Sequence, residues 1–88
     1  MESRPSLREE YMPLSMASEG TKVKIKRMYG GHGLLRRLHE LGLVENGVVE
    51  IITNHFHGPM ILKVFDSRVV IGRGQTHKIF VENVFIER

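Results

Sequence analysis

A single helical run set among short alternating strands is the pattern that most restricts this chain. Leu34, Leu35, Leu38 and Leu41 recur at three-and-four spacing, which gathers apolar side chains on one face of a helix from about His32 to Leu41. Gly42 ends that helix, because a residue without a Cβ enters the left-handed conformation at no steric cost. Leu43 follows at the position where an apolar residue folds back onto the last turn, and Asn46-Gly47 is a strong turn pair leading into the next strand. Leu34, Leu38 and Leu41 are therefore core candidates. Arg36 and Glu40, four apart on the outer side, face water.

Period-two patterning surrounds the helix. From Lys22 to about Met28, Val23 and Ile25 point one way and Lys22, Lys24 and Lys26 the other, so one face of this strand is buried and the other wet. Further strands are expected near 48–54, 60–66, 68–72 and 78–82. Turns at Ser18-Glu19-Gly20, Gly30-Gly31 and Gly58-Pro59 separate the runs, and a turn or single helical turn at Gly74-Gln75-Thr76 precedes the last. Five short strands are too few for a sandwich and suit a small, strongly bent barrel that hides its edges. The expected fold is mainly β, a barrel of about five strands with one short inserted α-helix. Residues 1–13 are polar, charged and proline-containing and read as a mobile tail. Residues 14–82 form the domain and 83–88 a C-terminal extension, whose Val84-Phe85-Ile86 is an apolar end able to pack back or to pair with a second copy.

Taken in order, Arg37-Leu38-His39-Glu40-Leu41-Gly42-Leu43, Asn46-Gly47, Gly58-Pro59, Val69-Val70-Ile71-Gly72-Arg73-Gly74 and Ile79-Phe80-Val81 resemble the FeoA family over about residues 14–81. The resemblance implies an SH3-like barrel. It also implies a cytoplasmic, non-catalytic adaptor of bacterial ferrous iron uptake, one that binds the cytosolic part of the membrane GTPase permease FeoB at the inner face of the membrane. The chain departs from the family pattern at Asn46, where many relatives have proline, at Gly72, where many have arginine, and at Thr76, where many have alanine. Similar SH3-like domains also end metal-dependent repressors, so a metal-responsive regulatory module is an alternative expectation.

Composition excludes several other classes. With 88 residues there is room for one small domain. The chain has no cysteine, which removes disulfides and thiolate metal sites. No apolar run approaches the ~20 residues a spanning helix needs, and residues 1–12 lack the apolar core of a signal peptide. A cytoplasmic protein without direct membrane insertion is the expectation. The formal net charge is +3, with Lys22, Lys24, Lys26 and Arg27 in one stripe and Arg36 and Arg37 in another, and a basic nucleic-acid-binding barrel is a further alternative. Its aromatics form no spaced stacking series of the kind single strands need, and lysines on the wet positions of a strand serve equally to block edge pairing. Nucleic acid is therefore not the expected partner.

The remaining chemistry is sparse. No hydroxyl sits in a recognisable nucleophile turn and no carboxylate pair has acid–base spacing. Gly72-Arg73-Gly74 lacks the lysine and hydroxyl of a phosphate loop. His55 and His57, two apart, form a candidate metal pair for zinc or ferrous iron. His32, His39, His77, Glu50 and Asp66 are the residues that would have to complete it. No cofactor is expected to be required, only weak or adventitious metal contact at these histidines. The expected partner surface is the helix with its flanking loops, comprising Tyr29, His32, Arg36, Arg37, His39 and Glu40, with Arg73 as an exposed anchor.

Overall fold

The computed structural model describes residues 11–55 and 57–84. The chain runs β1 (Met12–Pro13), a 3₁₀ turn (Leu14–Met16), β2 (Lys22–Met28), α1 (His32–Glu40), β3 (Val48–Asn54), β4 (Met60–Val64), β5 (Ser67–Ile71), the single-turn α2 (Arg73–Thr76) and β6 (Ile79–Asn83). All pairings are antiparallel in one sheet of order β1-β6-β2-β3-β4-β5. The mainly β expectation holds, with six strands rather than about five. The extra strand comes from Met12 and Pro13, which pair with Val81 and Phe80. Two residues of the expected tail, Met12 and Pro13, are thus part of the sheet, and β6 runs through Asn83. Residues 1–10 of the expected tail and 85–88 of the expected extension, including the pairing segment Phe85-Ile86, lie outside the described residues.

Alternation decides which side chains enter the core. Val23 and Ile25, Val49 and Ile51, Met60, Leu62 and Val64, Val69 and Ile71, and Ile79 and Val81 are all buried on the concave face, as a period of two requires. Register shifts between Ile25 and Arg27 and between Ile51 and Thr53 bend β2 and β3, the usual consequence of an extra residue in one strand. Such bends let a small sheet curl around its own core.

Helix α1 packs Leu38 into the core, and its end is more informative than its start. Gly31 at its N-cap offers no side-chain cap. At the other end Gly42 has φ 95° and donates to His39 O at 2.9 Å, while the Leu43 amide donates to Leu38 O at 2.9 Å. These two bonds make the Schellman closure, which places the residue after the glycine against the third-last helical residue. Leu43 and Leu38 are accordingly both buried in the core. The expectation that Leu41 belongs to the core is corrected: it is 37% exposed. The reversal at Gly42 carries the chain inward one residue later, so Leu43 takes the place that strict helical periodicity assigns to Leu41. Leu34 packs at the core margin.

Asn46, with φ 70°, holds the left-handed position of the turn that Val44 O and the Gly47 amide close at 3.0 Å. Asparagine tolerates that conformation better than other side chains, so the absence of a proline costs the turn nothing visible.

Candidate partner-binding surface

The outer face of α1 gathers most of the expected contact residues. His32, Arg36, Arg37, His39 and Glu40 are all exposed. His32, Leu35, Arg36, His39 and Glu40 line one shallow recess, and Gly33, Arg36, Arg37, Glu40 and Leu41 a second beside it. Their common orientation follows from Leu38: burying that side chain turns the opposite side of the helix to water. Tyr29, at the end of β2, is about half exposed and packs edge-to-face on Phe80 with ring centroids 5.8 Å apart. That contact fixes the ring at the rim and leaves its other face to solvent.

Arg73 is placed differently from its expectation as an exposed anchor. It is half-buried, its Nε donates to Gly58 O at 3.0 Å, and its Nη2 donates to Asn54 Oδ1 at 2.9 Å and to His55 O. Asn54 in turn donates from Nδ2 to Ser15 O at 3.0 Å and to Ala17 O at 2.7 Å, and its amide is accepted by Glu19 at 2.7 Å. One asparagine and one arginine therefore staple the 3₁₀ turn, the end of β3, the β3–β4 connection and α2 together. Thr76, buried, completes α2 by donating to Arg73 O at 2.7 Å, which satisfies the polar group that replaces the alanine of many relatives. Asn54 was not legible as a structural hub. A lone asparagine before a turn reads as turn chemistry, and only the meeting of distant segments reveals its other bonds.

The histidines do not converge. His55 and His57 lie beyond the end of β3 in the β3–β4 connection, so the side-by-side geometry of a strand does not apply to them. His77 meets Ser15 Oγ at 3.2 Å through Nδ1, while His32 and His39 ride on α1. Among the described residues no group of three or more histidine, cysteine, aspartate or glutamate side chains could hold a metal ion. Likewise, no helix among them is long and apolar enough to cross a membrane.

One exposed region went unanticipated. The β4–β5 hairpin is closed by the two residues between the Val64–Ser67 pair, and the first of them, Phe65, has φ 56° and is 87% exposed. Primed hairpin turns demand that conformation and usually place glycine, asparagine or aspartate there. The sequence signal was available: a phenylalanine directly before Asp66-Ser67, in a loop too short to bury it.

Comparison with known proteins agrees with this architecture. The FeoA domain model matches residues 12–83. A Methanocaldococcus jannaschii protein named for Fe(2+) transport (transport protein A) is 37% identical over 71 residues, covering 81% of this chain and 85% of that one. The crystal structure of an iron uptake regulatory protein, FeoA, superposes with a TM-score of 0.79 at 28% identity, covering 84% of this chain and 99% of the other. A manganese-dependent transcriptional repressor shares the fold, with a TM-score of 0.76 at 16% identity, covering 84% of this chain and 42% of the repressor. The six-stranded sheet is thus the SH3-like barrel of these proteins, and the chain belongs to the FeoA family.

Proposed function

We propose that this chain is a non-catalytic accessory of Fe(2+) transport that binds the cytosolic part of a FeoB-type permease and supports its assembly or activity. The observation that carries the reading is the family match across nearly the whole domain, joined to a relative named for Fe(2+) transport. On this reading the protein works in the cytoplasm and is recruited to the inner face of the membrane by its partner. The contact surface is the outer face of α1, with His32, Arg36, Arg37, His39 and Glu40 as rim residues and Tyr29 as a fixed aromatic beside them. Aromatic and arginine side chains are the usual anchors of such interfaces. Arg73 is left out of the surface, because its guanidinium is already held by Asn54, His55 and Gly58. The protein itself needs no cofactor, and His55 and His57 offer at most a weak divalent contact.

The test is calorimetric titration of the full chain against the cytosolic portion of its own organism's permease, with and without a GTP analogue. Saturable binding is expected. Charge reversal at Arg36 and Arg37 should weaken it at least tenfold, the scale of a lost ~1.4 kcal/mol. The melting temperature should move little, since both side chains are exposed and an unfavourable charge near a helix C-terminus costs less than about 1 kcal/mol each. Wild-type binding that both reversals leave unchanged would remove the helix from the interface. Absence of any binding would remove the partner.

A further inference from the structure

Two of the large apolar side chains that the fold leaves exposed meet at one end of the barrel. Phe65 projects from the β4–β5 turn, and the β3–β4 register places Val48, 47% exposed, across from it. Both line a shallow recess with Lys22, Glu50 and Lys63. A Cβ added to Gly42 would lie 3.0 Å from Val64 Cγ1, so the end of α1 reaches the same hairpin. Val44, also exposed, sits against Gly47, the neighbour of Val48. A bulky residue at positive φ is an uncommon and strained arrangement, and among the described residues the ring stays almost wholly in water.

The wet face of the sheet behind the ring is rich in long cations. Lys22, Lys24 and Lys26 of β2 alternate outward and Lys63 lies across from Arg68. Glu50 stands between Lys22 and Lys63, Glu82 across from Lys24, Asp66 follows the ring, and Lys26 Nζ donates to Asn46 Oδ1 at 3.3 Å. A protruding phenyl group at a rigid two-residue tip, with lysines and an arginine set back from it, matches the layered chemistry of an anionic bilayer surface. The apolar tip meets the acyl boundary, and the flexible cations reach phosphate from behind it.

We propose that the Phe65 end of the barrel docks on anionic lipid, seating the phenyl ring at headgroup depth without spanning the membrane. This goes beyond the permease reading and departs from the expectation of no direct insertion. Asp66 and Glu45 oppose the anionic surface, and a single shallow anchor gives only reversible attachment. Lipid contact therefore acts jointly with a second attachment rather than alone.

Flotation of the full chain with vesicles tests this in the absence of any permease, so its failure is distinct from failure of the proposed function. Vesicles of phosphatidylcholine alone are compared with vesicles of equal parts phosphatidylcholine and phosphatidylglycerol. Binding is expected to the second only, and Phe65→Gly should weaken it about tenfold or more, the scale of withdrawing one phenyl ring from an apolar site. Glycine suits the positive φ, so that variant keeps the fold. The chain has no tryptophan, so Phe65→Trp supplies one emission signal, expected to shift to the blue and to be quenched by brominated lipid on anionic vesicles. Equal flotation of wild type and Phe65→Gly, or no flotation at all, overturns the proposal. So does a Phe65→Gly variant that keeps vesicle binding but loses the permease fragment or a self-associated form in sedimentation, since either would assign the ring to a protein partner.

Discussion

At opposite ends of β3 the protein uses side chains in contrasting ways. Near Asn54, an asparagine and an arginine from distant segments exchange hydrogen bonds with each other and with five further groups, among them the backbone carbonyls of Ser15, Ala17, His55 and Gly58. Near Val48, an aromatic ring and two valines are left in water, and the most exposed of them is held in a strained conformation. The first end is closed by the chain itself. The second satisfies few of its own groups, and the difference locates the places where a partner has something to gain. Polar networks that are already satisfied stabilise the fold and offer little to a newcomer, whereas exposed apolar area is relieved only by contact.

The largest effect should come from the shared core. Leu38→Ala empties a site buried on all sides and is expected to lower stability by roughly 2–5 kcal/mol, read from the urea midpoint of unfolding. Next comes the stapled corner: Asn54→Ala removes one acceptor of the Arg73 guanidinium and the shared donor of the Ser15 and Ala17 carbonyls. It should cost about 1–3 kcal/mol, seen as a lowered melting temperature. A loss near zero would mean that water replaces the staple and that the contrast between the ends is weaker than drawn. Gly42→Ala forces a Cβ into a φ of 95° and against Val64. It should cost about 1–2 kcal/mol, measurable by thermal denaturation. Smallest is Phe65→Gly, expected to stay within about 0.5 kcal/mol of wild type, because the ring makes few contacts and its strain is released. A substantial loss of stability there would show the ring to be a folding element and erase the comparison.

Much of this architecture was legible in the chain. The period-two run of β2 identifies its inward residues, short apolar runs place four further strands, and the Leu38–Gly42–Leu43 pattern identifies the helix stop. Other features were not. Met12-Pro13 is too short to carry a pattern and becomes a strand only because β6 lies beside it. Leu41 follows the helical period, yet the Schellman reversal hands its place to Leu43. Arg73 between two glycines reads as exposed, and its half-burial depends on carbonyls fifteen and more residues away in sequence. The outer face of α1 follows from the helical period, whereas the cluster around Phe65 joins residues of four segments and has no linear signature.

Local chemistry by itself determined five of the six strands, the helix with its glycine stop and the mainly β class, because side-chain alternation and left-handed turns are properties of neighbouring residues. Tertiary structure alone decided which charged and apolar groups are free to meet a partner. Exposure is set by what the rest of the chain places against a side chain, and for Arg73 and Phe65 that came out opposite to what their chemistry suggests.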